Sequence, residues 1–507
     1  MFSGRAELRR KRFFWNTLTA LGYQIISIIC GFVLPKLIIV YYGSEINGLV
    51  NSITQFLQII SFLEFGVGAV VQSALYKPLA DNDYDKISQI IVSAERFFRK
   101  IAKILGGYII ILIIIYPHIA KRTYSWAYTS ILIVAISISF LAQYYCGIVD
   151  QLLLNASQRG YVQYSIQIVT IIFNTLICVC LMKMGQSIHT IKFVTALIYL
   201  LRPLAYRLYI KKYYNINREI KYDKEPIPQK WNGIAQHVSS VILTSTDTVV
   251  LTLFSTLKNV SIYSVYYLVI SGIQQAFTSL NSGFHALIGE LWAKQEISEL
   301  QKVFGMMEWC IHTVTVFVFG CTSVLFVPFV SIYTAGIEDA EYIQPIFALI
   351  LTSAYAAKCM SIPYHAMILA AGHYKQTQRQ FVITTMLNVV VSILTVDMWG
   401  LVGVAIGTFI AMSYQTIWMS RYIVKNLNKW PAYNVLKQLL VDIITAIIGY
   451  YISSNIEFVA NNYLAWILRA LEIVIIWSGV ILAINLLVYK EKIKNILGRF
   501  LIQIRDD

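Results

Sequence analysis

Long, almost unbroken apolar runs recur from one end of this 507-residue chain to the other. They limit what it can fold into more than any other feature. Ile109–Tyr116 and Ile473–Val488 are examples. A helix needs ~20 apolar residues to cross the hydrocarbon layer, whereas a barrel strand would alternate apolar and polar positions over about ten. The runs do not alternate, so the expected spans are helical. Composition agrees: 57% of residues are hydrophobic and 13% are charged, about half the charge of a soluble domain. Disordered, collagen-like and disulfide-stapled secreted chains are excluded on the same grounds. The chain reads as an all-α polytopic membrane protein.

Seven cysteines (Cys30, Cys146, Cys178, Cys180, Cys310, Cys321 and Cys359) lie in apolar segments without metal-ligand spacing. They read as small buried hydrophobes, and no metal, redox centre or cofactor is expected. The net charge of +15 does not point to nucleic acid. Lys and Arg gather at the ends of apolar spans, which is a topology signal.

Fourteen spans are expected, near 13–41, 47–77, 90–118, 124–154, 161–184, 187–213, 231–256, 260–292, 303–334, 342–370, 377–399, 401–424, 434–454 and 463–489. Arg5, Arg9, Arg10, Lys11 and Arg12 precede the first, which lacks a small-residue cleavage site and reads as a span rather than a signal peptide. Connectors after even-numbered spans are basic and those after odd-numbered spans hold few Lys or Arg, Lys183 and Lys192 among them. That alternation predicts both termini in the cytoplasm. Two segments, Lys86–Leu105 and Lys490–Arg505, are amphipathic and read as helices on anionic headgroups, the first also as a rim attracting a diphosphate.

A polar linker at Asn215–Lys230, stiffened by Pro226 and Pro228, sits near mid-chain. Sliding the chain on itself by about 212–215 residues aligns Ala74-Leu75 with Ala286-Leu287, the turn at 154–158 with that at 369–373, and Asn174 with Asn388. Six spans separate the matches, so the halves are parallel repeats, an arrangement found in alternating-access transporters. The expected organisation is a six-helix lobe over 1–214, the linker at 215–230, a second six-helix lobe over 231–427, and two additional helices with a basic tail over 428–507.

A charge near the bilayer centre costs roughly 3 kcal/mol or more and usually faces a cavity or a partner. Lys36, Glu64, Asp150, Arg202 and Asp247 are the better-placed candidates; Glu290, Glu308, Lys358 and His365 are weaker, with surface, snorkelling or core alternatives. The repeat pairs Asp150 with His365 and sets Lys36 close to Asp247. Arg207 reads as interfacial, and Asp397 and Asp442 as solvated near span ends. Lys36 and Arg202, with Asp150 and His365, are the expected substrate-binding residues, since cations hold phosphate oxygens. Glu64 and Asp247 are the expected ion-coupling residues, for a proton or sodium gradient. Tyrosines are plentiful at 34; some would suit stacking on sugars, though interfacial belts and packing explain most. No P-loop, HExxH or GxSxG occurs, and Asp81, Asp83 and Asp85 read as a solvated turn. No enzyme activity is expected. Gly403 and Gly407 form a GxxxG packing motif.

The run Tyr41-Tyr42-Gly43-Ser44-Glu45-Ile46-Asn47-Gly48-Leu49, then Phe62-Leu63-Glu64-Phe65-Gly66-Val67-Gly68 and Leu75-Tyr76-Lys77-Pro78-Leu79-Ala80, resembles the first two helices of polysaccharide flippases. So does Ser245-Thr246-Asp247-Thr248-Val249-Val250-Leu251 with the stretch from Val260 to Tyr266. These flippases are Wzx-type members of the multidrug/oligosaccharidyl-lipid/polysaccharide exporter superfamily. The resemblance implies two six-helix lobes plus two helices. It also implies transport of undecaprenyl-diphosphate-linked oligosaccharides for capsule, exopolysaccharide or other surface glycan, beside a polysaccharide polymerase and glycosyltransferases. A multidrug exporter or a lipid II flippase shares that fold and is the alternative. A membrane polymerase or glycosyltransferase would need a long outer loop bearing carboxylates, which is not found.

Overall fold

The computed structural model describes residues 2–64, 66–119, 124–227, 234–427, 430–456 and 462–490. The second amphipathic segment, Lys490–Arg505, lies outside these but for Lys490.

The described chain is helical, with no strand among the described residues. Its elements are α1 (Phe2–Tyr42), α2 (Ser44–Ile59), α3 (Val67–Asp81), α4 (Tyr84–Ile119), α5 (Trp126–Ala142), α6 (Ile148–Ala156), α7 (Gly160–Lys183), α8 (Ile188–Tyr213) and α9 (Ile234–Phe254). There follow α10 (Leu257–Ala293), α11 (Ile297–Tyr333), α12 (Pro345–Met360), α13 (Ile362–Ala370), α14 (Tyr374–Trp399), α15 (Leu401–Asn426), α16 (Ala432–Ser454) and α17 (Tyr463–Val488). Three of the rods are broken. A 3₁₀ turn at Ile60–Glu64 and left-handed Gly66 separate α2 from α3, and a π turn at Gln143–Gly147 separates α5 from α6. Pro363, which has no N–H to continue the ladder, follows the break between α12 and α13. Counting each broken rod once leaves fourteen helical rods, at the positions of the fourteen expected spans.

Twelve of these are long and apolar enough to cross a membrane, as in a multi-pass membrane protein. The twelve do not include α4 and α10, which the fourteen-span count also uses and which run for 36 and 37 residues.

The chain forms two compact units, Met1–Leu268 and Val269–Asp507, and the division falls inside α10. In the first unit, α4 corrects an expectation. Its amphipathic first half is one continuous helix with the apolar second half, and its apolar face lies in the protein core: Ile87, Ile91, Ala94 and Phe98 are at most 1% exposed. Asp83 precedes this helix; its carboxylate accepts from the Lys86 backbone N–H at 3.0 Å and pairs with the Lys86 ammonium at 3.1 Å. Those contacts hold the carboxyl below its usual range, as fits a capping turn.

The two stretches that carried the family resemblance pack against each other within this unit. Asn47 donates to the Ser261 hydroxyl at 2.7 Å, and Ser52 bonds Thr252 at 2.7 Å. A Cβ added at Gly48 would sit 1.8 Å from the Leu257 carbonyl oxygen. Only glycine permits that approach of α2 to the start of α10.

The second unit uses the same device. Cβ atoms at Gly403 and Gly407 would meet Thr395 O at 2.3 Å and Ser392 Oγ at 2.2 Å, so the GxxxG pair joins α15 to α14. Trp477 of α17 is 1% exposed and fills the space over Gly320 of α11 and Gly449 of α16. The helices beyond the expected repeat are thus packed into this unit.

Candidate functional site

In the first unit, Thr54 of α2, four residues of α5 between 135 and 140, Gln143 and six positions of α8 line a cavity of about 340 Å³. Two cations line it, Lys192 and Arg202, with Tyr199 and Thr195 beside them, and no carboxylate does. Arg202 is fixed: its Nε donates to Thr170 Oγ1 at 2.8 Å, and its guanidinium lies 4.0 Å over the Tyr199 ring. Lys192 stands ten residues earlier on the same helix, about 15 Å along its axis. The cavity is therefore lined by basic side chains with no acid beside them, suited to an anionic group. Sequence reasoning found Arg202 and missed Lys192, which reads as a topology marker because it lies near a helix start.

Asp150 lies elsewhere. It is 1% exposed, on α6, inside a network that joins three arginines to two acids. Arg218 donates to Asp150 Oδ1 at 2.7 Å and also contacts Glu95. Arg207 reaches Glu95 at 3.0 Å and Asp150 at 3.6 Å, and Arg99 reaches Glu95 at 3.1 Å. Arg207, read as interfacial, thus belongs to a structural network. Arg218 comes from the linker, where burial draws its guanidinium down to about 10 and leaves it a cation at neutral pH. Further along the linker, Glu225 accepts from Ser93 at 2.5 Å, the Asn217 backbone N–H donates to Ser88, and Ile227 is 2% exposed in the core. The linker is tied down on α4 over 215–227; Pro228 and the rest of the expected linker lie outside the described residues.

The expected ion-coupling acids each take a tyrosine. Tyr144, in the π turn, donates to Glu64 at 2.6 Å, and Glu64 ends the 3₁₀ break of its own rod. Tyr263 donates to Asp247 at 2.8 Å, and Asp247 is 1% exposed. Lys36 is half-buried on α1, next to Pro35, and does not line the 340 Å³ cavity. His365 is half-buried on α13 and faces Phe381, ring centroids 5.7 Å apart. Of the six expected residues, the cavity gathers Arg202 alone.

In the second unit the weaker candidates separate. Glu290 pairs with Lys294 at 2.5 Å on the surface, and Lys358 donates to Gln274 at 3.4 Å. Glu308 is 3% exposed and Asp442 4%, which corrects the reading of Asp442 as solvated: it lies ten residues into α16 and also lines an apolar cavity of about 540 Å³. His312, one turn beyond Glu308, is fully buried between them. The four-residue spacing on α11 places it on one face with Glu308, a signal readable from the sequence. Among the described residues, no group of three metal-ligating side chains gathers.

The sequence matches no protein-family model and no curated protein. Solved structures do match. The "Lipid II flippase MurJ, inward closed conformation" superposes with a TM-score of 0.66 at 14% identity, covering 94% of this chain and 99% of that one. A "multidrug resistance MATE family transporter of the MOP superfamily", inward-facing, gives 0.54 at 15% identity over 81% and 96%. A point mutant of the Vibrio cholerae MATE transporter VcmN gives 0.56 at 11% identity over 82% and 99%. Identities this low speak to the fold, and the fold is that shared by MurJ and MATE-family transporters of the MOP superfamily.

Proposed function

We propose that this protein moves undecaprenyl-diphosphate-linked oligosaccharide repeat units from the inner to the outer face of a bacterial plasma membrane, by alternating access, for assembly of capsule, exopolysaccharide or another surface glycan. The observation that carries the reading is the 340 Å³ cavity lined by Lys192 and Arg202 without a carboxylate. A diphosphate satisfies two cations in a site of low polarity; a cationic drug would place like charges together. Arg202, already oriented by Thr170 and Tyr199, would clamp one phosphate, and Lys192 would meet the other end. Lys36 is assigned to the path of the same headgroup, and both termini to the cytoplasm.

The MurJ likeness favours a lipid-linked cargo, as its name states for that protein. The MATE likenesses favour a second reading, ion-coupled multidrug export, for which Glu64 and Asp247 are the acids at hand. In either reading a proton or sodium gradient resets the cycle.

Depletion of the protein in its host, followed by extraction of polyprenyl-diphosphate-linked glycans, tests the reading. Accumulation of a complete repeat unit on the cytoplasmic face, reversed by the wild type and not by a Lys192→Met/Arg202→Met variant at equal protein level, is the expected result. Unchanged lipid-linked glycans with new sensitivity to cationic drugs would move the assignment to drug export.

A further inference from the structure

Four side chains from three elements form one hydrogen-bonded chain through the second unit. The Trp430 indole N–H donates to Glu308 Oε2 at 2.9 Å. The Tyr364 hydroxyl lies 2.8 Å from Glu308 Oε1 and 3.3 Å from His312 Nε2. His312 Nδ1 lies 2.6 Å from Asp442 Oδ2, and Gln438 donates to Asp442 Oδ1 at 2.9 Å. Glu308 and His312 come from α11, Tyr364 from α13 and Asp442 from α16. The four are at most 4% exposed, yet Asp442 also lines the 540 Å³ cavity. The chain therefore runs between a buried carboxylate and a space large enough for water.

Tyrosine has one hydroxyl hydrogen, and that count defines two arrangements. In the first, Tyr364 donates to ionised Glu308 and accepts from His312 Nε2–H, while Nδ1–H donates to Asp442; the ring is an imidazolium. In the second, the Nε2–H bond breaks as a proton passes to Tyr364 Oη, and the hydroxyl's own hydrogen passes to Glu308 Oε1. His312 is then neutral, Glu308 is protonated, and Tyr364 donates to Nε2. No heavy atom need change partner.

We propose that the Glu308–Tyr364–His312–Asp442 chain is a proton-binding site of the second unit, taking up and releasing a proton through Asp442 at the cavity. In the transport reading above, on which this part rests, that proton is the coupling ion. Imidazole is the side chain whose ordinary titration falls in the physiological range. Other titratable groups near the chain have contacts of their own. Lys437 of α16 donates to the Val488 carbonyl at 3.3 Å and lies 4.8 Å over the Tyr489 ring. Tyr489 follows α17 and is 8% exposed. Lys358 of α12 lies over Tyr355, His365 faces Phe381, and His373 bonds Tyr422 of α15.

Two measurements on the full-length protein test this. In nanodiscs, histidine side-chain ¹⁵N spectra, with His312 assigned by its loss in His312→Gln, are followed from pH 5 to 9. The expected result is a titrating His312 whose midpoint moves by at least about one pH unit, tenfold in proton affinity, in both Tyr364→Phe and Glu308→Gln. A ring that keeps one protonation state across that range, or a midpoint that neither variant moves, overturns the site. In proteoliposomes, flipping of a fluorescent polyprenyl-diphosphate glycan is compared with and without a one-unit pH gradient. A gradient of that size can stimulate by up to about tenfold, and in Tyr364→Phe the ratio should fall to about one. A Tyr364→Phe ratio equal to the wild type's, or stimulation by sodium alone, overturns the coupling role. If the wild type flips no glycan while His312 titrates as expected, the transport reading fails and the proton site stands.

Discussion

Each unit holds one network of buried acids, and the two are built in opposite ways. In the first, Asp150 and Glu95 face Arg99, Arg207 and Arg218; in the second, Asp442 and Glu308 face His312, Tyr364, Gln438 and Trp430. A guanidinium stays charged at any physiological pH, so the cations of the first network are permanent and tether the linker to the helices. An imidazole and a phenol can pass a proton without moving, so the second is fixed in place and variable in charge. The cation-lined cavity adds a third case, in which fixed positive charge is left facing an open space.

The largest effect should come from unbalancing the first network. Asp150→Ala leaves three arginines against Glu95, and breaking a buried pair costs about 3–5 kcal/mol. A pronounced fall in thermal unfolding temperature is expected, partly restored in the Asp150→Ala/Arg218→Ala double variant. Additive losses in the double would show that the two residues do not form one network.

Smaller losses are expected in the second unit. Tyr364→Phe removes one buried hydroxyl and leaves Glu308 with the Trp430 donor, a change of about 1–2 kcal/mol. Its main expression should be in pH dependence. If it destabilised as much as Asp150→Ala with no change in pH response, the two networks would be equivalent and the contrast would collapse.

Lys192→Met should act in the opposite sense. Replacing a cation in an acid-free cavity by an apolar chain of similar length should leave thermal stability unchanged or raised, while anion binding weakens roughly tenfold, the loss of ~1.4 kcal/mol of a charge-assisted contact. Loss of stability would mean that Lys192 holds the fold together. The smallest effect is expected at Asp83: Asp83→Asn should leave both binding and pH response unchanged, because the turn only caps α4.

The helical rods were legible because span length and apolarity are local properties. The GxxxG pair was legible too, since a missing Cβ marks a close approach; the close approach at Gly48 was not. The partners were not. Arg218 reads as one more linker cation, and nothing local announces that it reaches Asp150, 68 residues away. The face of α4 was misassigned because lipid headgroups and a protein core select the same amphipathic pattern. Asp442 was placed in solvent by its closeness to a span end, whereas the depth of a helix end depends on what packs over it, here α11 and α17. His312 was the avoidable miss, four residues from Glu308.

Direct binding tests the central claim, that the first unit's cavity holds an anion. Purified protein is titrated with a polyprenyl diphosphate and, separately, with a lipophilic cation such as ethidium. Saturable diphosphate binding, weakened at least about tenfold in Lys192→Met/Arg202→Met, corresponding to ~1.4 kcal/mol, with no competition by the cation, is the predicted result. Saturable cation binding that this double variant leaves intact, with no diphosphate binding by the wild type, would contradict it.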